Sequence, residues 1–287
     1  MGLARKLIML ATRAYLSFSE ITDPAKHRDH NEWHQLDHRP ENLIQPGIAW
    51  GDRWVRSPDC AAASIVVDPL YAAAQYAIMY WFREPLAPTF DDWFGLSERS
   101  FQWGRSPQIG WTHRPLRTLL VPLRGYTAPH VTTDADGLPF RPVRGVFMRI
   151  SRMLAQGAAA RAMHAWFDRT RIPDMLTCPG VAGAWSFASV DVLGAVRSER
   201  GMPQWRFADS ASRGGAPQTL RVQLYFLEAD PLDFMADLPG HEAAWRRAGR
   251  DRDTGDTEEV VFAGPFRRIL PWQWGWFDSA KTTAAPP

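Results

Sequence analysis

Apolar residues recur along the chain with two periods, one typical of strands and one typical of helices. In residues 12–20 they alternate with polar residues, which predicts a half-buried strand. The next segment begins as a helix at Pro24 and carries Trp33, Leu36 and Leu43 at helical spacing. The Pro-Gly pair that follows predicts the end of this helix.

The same two periods predict one order of elements in each half of the chain: strand, helix, strand, strand, helix, strand. In the first half, the remaining elements are strands at 48–56, 75–83 and 116–124 and a helix at 90–103. In the second half, strands are expected at 145–152, 181–189, 220–228 and 259–269, and helices at 158–177 and 232–249. Each βαββαβ unit makes a four-stranded antiparallel sheet with both helices on one face. The other face needs cover, so the two sheets are expected to cover each other.

A pattern of six residues in the first helix and the strand after it occurs again 133 residues later. The first copy comprises Trp33, Pro40, Leu43, Pro46, Gly47 and Ile48, and the second comprises Trp166, Pro173, Leu176, Pro179, Gly180 and Val181. This separation is too long for a solenoid period, so it indicates two copies of one compact domain.

The repeat sets the domain boundaries that we predict. The first repeat covers residues 1–126, and the second covers residues 145–278. Residues 127–144, rich in proline, glycine and aspartate, form a linker between them. A Gly/Ser/Arg-rich segment at 197–218 is expected to be a mobile loop, and residues 279–287 a disordered tail.

Composition narrows the class of protein. The formal charge is +2 without any block of like charges, so nucleic acid is not an expected partner. Two cysteines without a CxxC pair indicate neither a disulfide framework nor a thiolate metal site, which fits a reducing cytoplasm. No apolar run approaches the roughly 20 residues that span a bilayer. Tryptophan is the outlier, with 14 copies; three of them alternate in residues 271–278, which we expect to pack over the barrel or a pocket mouth.

The two copies differ at the polar positions of the first helix. His30, His34, Asp37 and His38 in the first copy correspond to Met163, Phe167, Thr170 and Arg171 in the second. With about 100° per residue, the histidines flank an apolar stripe through Leu36 and Pro40, and this flank taken alone would be solvated. Met163 and Phe167 are costly to expose side by side, so the flank is expected to face the sheet in both copies. His30 and His34 are therefore predicted to point inward.

The element order and a short motif resemble one family of folds. His38-Arg39-Pro40 followed by Pro46-Gly47-Ile48 is similar to the helix end and strand start of the EthD-like branch of the dimeric α+β barrel superfamily. The resemblance implies an α+β fold in which two tandem ferredoxin-like repeats pack sheet to sheet as an intramolecular α+β barrel. It also implies an enzyme that needs no cofactor. Arg171 stands where a second histidine would be, so a histidine-dependent role is expected only in the first repeat.

The inward polar cluster predicts acid/base chemistry, because an imidazole gives and takes a proton near neutral pH. We expect His34, His38 and Tyr80 to be catalytic, with Asp37 orienting one imidazole. Strand alternation allows only one of Tyr80 and Trp81 to point toward the helix, and Tyr80 is preferred. The expected substrate-binding residues are His30, Trp33, Trp50, Arg53, Trp54, Trp81 and Arg83. A satisfied structural network of the same residues is the alternative.

Sites for metals and nucleotides find little support. The segment His30 to His34 reads HNEWH, which is neither HExxH nor HxxEH. His30, His34 and His38 span about 12 Å along a straight helix, so at most two of them can share one metal ion. The chain contains no GxGxxG, GxxxxGK[ST] or GxSxG motif. We expect no cofactor, although a haem between helix and sheet, as in some relatives of the fold, stays an alternative.

These observations together predict a cytoplasmic enzyme of aromatic compound catabolism. The expected reaction is acid/base chemistry on a small phenolic, lignin-type compound, preferably a carbon–carbon lyase reaction that releases formaldehyde from a hydroxymethyl arm. The alternatives are an isomerase or cyclase, a cofactor-free or haem-dependent monooxygenase, and a non-catalytic binder of an aromatic metabolite. No membrane partner is expected, and the protein is predicted to be a monomer or homodimer.

Overall fold

A computed structural model describes residues 10–105, 110–197, 203–207 and 220–278, with side chains described outside 190–207. The tail predicted at 279–287 lies outside these residues, as does most of the loop predicted at 197–218. Among the described residues, no helix is both long enough and apolar enough to cross a membrane.

The described elements follow the predicted order in both halves, with shorter elements added between them. The strands are β1 (Arg13–Ile21), β2 (Ile48–Val55), β3 (Ile65–Val66), β4 (Tyr76–Phe82), β5 (Thr112–Thr127), β6 (Gly145–Met153), β7 (Val181–Arg197), β8 (Pro203–Phe207), β9 (Leu220–Leu227) and β10 (Glu258–Arg268). The helices are α1 (His27–Trp33), α2 (Arg39–Leu43), α3 (Pro58–Ala62), α4 (Leu86–Gln102), α5 (Gly157–Trp166), α6 (Ile172–Met175) and α7 (Pro231–Arg247). The prediction of a loop throughout 197–218 was wrong at β8, which pairs with an extension of β7.

Eight of these strands form one closed antiparallel sheet in the order β2-β4-β1-β5-β7-β9-β6-β10. Strand β10 returns to β2 through the pairs Arg267↔Val55 and Arg268↔Trp54. Strands β5 and β7 join the two halves on the other side through a longer ladder. The molecule is therefore a mixed α+β protein built around a closed sheet, with helices on its outer side.

The interior of the closed sheet is one apolar core to which both halves contribute. Trp81 from β4 lies edge to face with Trp185 from β7, with ring centroids 5.2 Å apart. Phe18 from β1 lies 5.1 Å from Phe262 of β10 in the same manner. Because rings from the two halves contact each other directly, neither half encloses this core alone.

The first helix of each half consists of two α-helical parts joined by one π-helical turn. Residues His34–His38 join α1 to α2, and residues Phe167–Arg171 join α5 to α6. These turns are separated by the same 133 residues as the sequence repeat. A π turn adds a residue to the helix, so a regular wheel of 100° per residue misplaces the residues around it. The apolar stripe predicted from the sequence is not the buried side of the helix: Leu36 is 40% exposed and Pro40 is also exposed, whereas His30 is buried.

The C-terminal segment packs over the end of the barrel beside α1, as predicted. Trp274 is buried against Ile21 and Tyr76. The ring of Phe277 stacks on His27 at a centroid distance of 4.1 Å. This segment therefore covers the N-terminal end of the histidine-bearing helix.

Candidate active site

Three histidines of the first helix line its inner side. His30 and His34 are buried, with 0% and 1% of their surfaces exposed, and His38 is half-buried. The ring centroid of His34 lies 5.8 Å from that of His30 and 5.0 Å from that of His38. The inward orientation that we inferred from Met163 and Phe167 is confirmed, since these two residues are buried as well.

A continuous hydrogen-bond network anchors the helix to the sheet next to these histidines. Arg53 Nη1 donates to Asn31 Oδ1 at 2.9 Å, and Asn31 Nδ2 donates to the Tyr76 hydroxyl at 3.0 Å. The same hydroxyl lies 2.9 Å from Nδ1 of His27. Arg53 Cζ lies 4.8 Å from the centroid of the Tyr76 ring, in a cation–π contact. These contacts hold the fully buried Arg53 side chain in one position.

Beside this network lies a set of buried polar atoms without hydrogen-bond partners among the described residues. It includes both ring nitrogens of His30, Nδ1 of His34, Nε and Nη2 of Arg53, the Tyr80 hydroxyl and Nε of Arg114. The centroid of the His30 ring lies 5.5 Å from that of the Tyr76 ring, over which the Arg53 guanidinium lies. Tyr80 faces the same side of the sheet as Arg53, because Gly51 and Arg53 pair with Tyr80 and Ile78. An unpartnered buried polar group costs about 1–3 kcal/mol. A cluster of them is explained best by a ligand that supplies the missing partners.

The corresponding space in the second half is filled mainly by apolar side chains and by polar groups that pair with each other. Two apolar residues stand at the histidine positions, and the Tyr225 hydroxyl donates to Gln223 Oε1 at 3.1 Å. Arg149 forms a buried ion pair with Glu258, and its guanidinium lies 5.0 Å from the centroid of the Phe167 ring. Nδ1 of His164 and Nη1 of Arg171 also lack hydrogen-bond partners among the described residues, so the two halves differ at the positions of His30, His34 and Tyr80.

Burial sets the protonation states in the site. It lowers the pKa of His30 and His34 well below 6.5, and the nearby charge of Arg53 lowers both further. Burial, followed by the charge of Arg114, lowers the pKa of His38 to about 3. The three rings are therefore uncharged at neutral pH and able to accept a proton. Burial also lowers the pKa of Arg53 to about 10, so its guanidinium stays charged.

The carboxylates near the site are engaged elsewhere. Asp52, which precedes Arg53 in β2, pairs with Arg39 at 3.4 Å. Asp37 was expected to orient an imidazole, but it points to the outer side of the π turn and pairs with Arg105. Both residues of that pair line an outer groove of about 460 Å³ that none of the three histidines lines. Among the described residues no carboxylate forms an ion pair with Arg53, so the buried site carries an uncompensated positive charge.

Strand alternation separates several predicted residues from the histidines. Tyr80 lies on the helix-facing side of β4, as preferred. Trp50, Trp54 and Trp81 belong to the barrel interior on the opposite face of the sheet, so they do not line the histidine site. Arg83 is exposed at the end of β4 and is not brought to the site either.

Two residues close to the histidines, Trp111 and Arg114, were not predicted from the sequence. Trp111 lies edge to face with His30 at 5.7 Å, while the expected Trp33 stacks on His38 at 4.7 Å. Arg114 was overlooked because the strand was predicted to start at 116, whereas β5 begins at Thr112. The alternation of Arg114 with its neighbours gives only a weak strand signal, and no local pattern points to Trp111.

Among the described residues, no group of three histidine, cysteine, aspartate or glutamate side chains has an arrangement that holds a metal ion. The chemical groups that the site does present are neutral imidazoles, a phenol and guanidinium groups.

Comparisons with known proteins return only distant likenesses. No protein-family model and no curated protein matches the chain. A proposed chlorite dismutase is 11% identical with a TM-score of 0.46, covering 90% of this chain and 94% of that chain. A proposed monooxygenase from Fusobacterium nucleatum subsp. nucleatum is 6% identical with a TM-score of 0.48, covering 91% and 94% of the two chains. An anthrone oxidase-like protein is 8% identical with a TM-score of 0.48, covering 90% and 91%. Likenesses at this level assign neither a family nor an activity.

Proposed function

We propose that the protein is a cofactor-independent acid/base enzyme that acts on a small phenolic compound between the first helix and the sheet. The observation that carries this proposal is the contrast between the two halves. Polar groups able to move a proton are buried without partners among the described residues of the first half. In the second half, apolar Met163 and Phe167 stand at the positions of His30 and His34, and the Tyr225 hydroxyl has an acceptor. Buried titratable groups with strongly shifted pKa values are typical of catalytic sites.

The geometry suggests a role for each group. His34 is the general base, because its neutral ring lies between the other two imidazoles and its Nδ1 has no partner among the described residues. His38, the half-buried end of the row, passes the proton toward solvent. Arg53 and Tyr80 stabilise negative charge that develops on a phenolic oxygen. Trp33 and Trp111 supply flat apolar walls.

The reaction that we prefer is carbon–carbon cleavage with release of formaldehyde from a hydroxymethyl arm. His34 takes the hydroxyl proton, the oxygen forms the carbonyl bond of formaldehyde, and the carbon–carbon bond breaks. The released electron pair forms a new carbon–carbon double bond and expels an aryl oxygen from the adjacent carbon as phenolate. Arg53 and the Tyr80 hydroxyl hold that oxygen while the proton taken by His34 is returned to it, and no oxidant or reductant is consumed. Isomerase and cyclase reactions use the same base and the same oxyanion-binding groups.

A substrate screen tests this function. Lignin-type dimers that carry a phenol and a hydroxymethyl arm are incubated with the purified protein, and formaldehyde and phenolic products are measured with and without oxygen. We expect turnover in both conditions and a decrease of at least about 10²-fold in His34→Ala, while the fold measured by circular dichroism is retained. A strict need for oxygen, or a visible absorbance band of bound haem or flavin, would contradict cofactor-free lyase chemistry. Full activity of the folded His34→Ala variant would contradict the assignment of the base.

The two halves of the chain have the same order of elements, but only the first carries the proposed site. We infer that residues 1–126 and 145–278 are tandem ferredoxin-like repeats of the EthD-like type, fused into one barrel. The matching positions of the π turns and the shared element order support this inference. The second repeat then completes the barrel, and its filled interface stabilises the fold without binding substrate.

A further inference from the structure

Only one of the three guanidinium nitrogens of Arg53 has a hydrogen-bond partner among the described residues. Its Nη1 donates to Asn31, and its face rests on the Tyr76 ring. Nε and Nη2 have no partner among the described residues, and these two N–H groups lie on the same edge of the planar group. This edge is the part of an arginine that binds an oxyanion with two parallel hydrogen bonds.

Two further donors belong to the same space. The Tyr80 hydroxyl and Arg114 Nε are buried without partners among the described residues. Tyr80 faces the same side of the sheet as Arg53, because Gly51 and Arg53 of β2 pair with Tyr80 and Ile78 of β4, and the charge of Arg114 acts on Tyr80 and the histidines. The Tyr80 ring crosses Gly51 so closely that a Cβ there would lie 2.3 Å from the ring. Glycine at this position therefore allows the phenol to lie flat on β2, two residues before Arg53 and on the same side of that strand.

We propose that this site binds its ligand as an aromatic oxyanion, a phenolate or an aromatic carboxylate, held by the free edge of Arg53 with the help of Tyr80 and Arg114. The proposal deepens the function proposed above by naming the ionisation state in which the ligand is bound. It concerns binding, so it is tested without turnover.

The charges around the site favour an anion. The three histidines of the helix are neutral at neutral pH, and burial raises the pKa of Tyr76 to about 12 and also raises that of Tyr80. Arg53 and Arg114 therefore face the ligand as cations, and the nearest carboxylate, that of Asp52, pairs with Arg39. A bound oxyanion compensates this charge.

An anionic ligand also helps the proposed base. The positive charge of Arg53 is the second cause of the low pKa of His34, after burial. When an oxyanion offsets this charge, the pKa of His34 rises toward neutrality, where a general base is most effective. Ligand binding and activation of the base are thus coupled through Arg53.

The test uses para-nitrophenol, whose phenolate has a strong visible absorbance band. The compound is titrated with and without excess full-length protein, and its pKa is read from the band. We expect the pKa of the bound phenol to fall by at least about one unit, which corresponds to a tenfold preference for the phenolate. The methyl ether para-nitroanisole, which cannot ionise, is expected to bind at least about tenfold more weakly. Benzoate in competition distinguishes a carboxylate site from a phenolate site.

Variants assign the effect to the named groups. Arg53→Met is expected to abolish the pKa shift, and Arg114→Met and Tyr80→Phe are expected to reduce it. Arg221→Met serves as the matched control, because Arg221 lies on the helix-facing side of β9 in the second half; it is expected to leave the shift unchanged. If Arg53→Met fails to fold, the other two site variants still decide the question.

Three results would overturn the inference. They are binding of para-nitrophenol in its neutral form only, a pKa shift that survives in folded Arg53→Met and Arg114→Met, and the absence of binding of both oxyanions to the folded protein. The proposed enzymatic function is judged by a different readout. A shifted phenol pKa without turnover of any screened substrate would support an oxyanion-binding site and contradict the lyase reaction.

Discussion

Tyr80 and Tyr225 occupy corresponding strand positions in the two halves and differ in one hydrogen bond. The Tyr225 hydroxyl has Gln223 as its acceptor, whereas the Tyr80 hydroxyl has no partner among the described residues. Both rings are buried in clusters under helices. The recurrence of tyrosine was visible in the sequence, but its different environments depend on which residues the fold places around each ring.

This pair gives a matched test at the level of single atoms. Tyr80→Phe removes a hydroxyl that makes no hydrogen bond within the described part of the chain, so we expect the free energy of unfolding to stay within about 0.5 kcal/mol of the original. Activity is expected to fall about 10²-fold, as after loss of one oxyanion donor. Tyr225→Phe should lower the free energy of unfolding by about 1 kcal/mol and leave activity intact. Urea denaturation and initial rates measure both quantities, and the reverse pattern would contradict the assignment.

The buried histidines make a prediction about stability and pH. Their pKa values in the folded protein lie below the unfolded value of 6.5, at about 4 for His27 and about 3 for His38, and lower than 6.5 for His30 and His34. Between pH 6.5 and these values the unfolded chain binds protons that the folded chain cannot. The free energy of unfolding is therefore expected to decrease as the pH falls below 6.5, by up to about 1.4 kcal/mol per pH unit for each histidine.

Urea denaturation at a series of pH values measures this slope. His34→Gln removes one of the titrating groups. The free energy of unfolding of this variant is expected to decrease less steeply as the pH falls, by the contribution of one histidine. A free energy of unfolding that does not change between neutral and mildly acidic pH would contradict the burial of neutral histidines.

At the scale of elements, the first helix and the C-terminal segment show where prediction by periodicity succeeds and where it fails. The ends of the helix were predicted correctly because Pro24 and the Pro-Gly pair are local signals. The π turn was not predicted, since no residue in His34–His38 requires it. The comparison with the second copy nevertheless predicted the correct inward face. Phe167 is apolar and buried at the position equivalent to His34, in a helix with the same π turn.

The C-terminal segment allows a test of how the end of this helix is covered. Phe277 stacks on His27, and burial is the main cause of the low pKa of His27, at about 4. Phe277→Ala is expected to expose the imidazole and raise its pKa toward 6.5, as measured by a nuclear magnetic resonance titration of the ring. Trp272→Ala is the control in the same segment, since Trp272 is 70% exposed, and it should leave the titration of His27 unchanged. Equal effects of the two variants would argue against specific cover by Phe277.

At the scale of the whole molecule, the two halves are joined into one cooperative structure. The interior core takes rings from both halves, and β10 closes the sheet on β2. Arg267 reinforces this closure, since its Nη1 donates to Ser57 Oγ at 3.0 Å and the guanidinium pairs with Asp59. The two predicted repeats therefore share one interior core.

Denaturation followed by tryptophan fluorescence and circular dichroism is expected to show a single transition. Arg267→Ala should lower the free energy of unfolding by about 1–2 kcal/mol while the transition stays single. Arg246→Ala is the control, because its ion pair with Asp251 is on the surface and 70% of the Arg246 side chain is exposed; a change within about 0.5 kcal/mol is expected. Two separate transitions would contradict the shared core.

The sequence by itself determined the order of the long elements, the doubled pattern and the inward flank of the first helix. These features depend on local periodicity, on turn residues and on a comparison between two copies within one chain. The tertiary structure decided the closure of the sheet, the separation of Trp50, Trp54 and Trp81 from the histidines, and the pairing of Asp37 with Arg105. It also brought Arg114 and Trp111 to the site. The physical reason is that strand pairing and closure of the sheet, which decide which side chains meet, depend on contacts between segments distant in the chain.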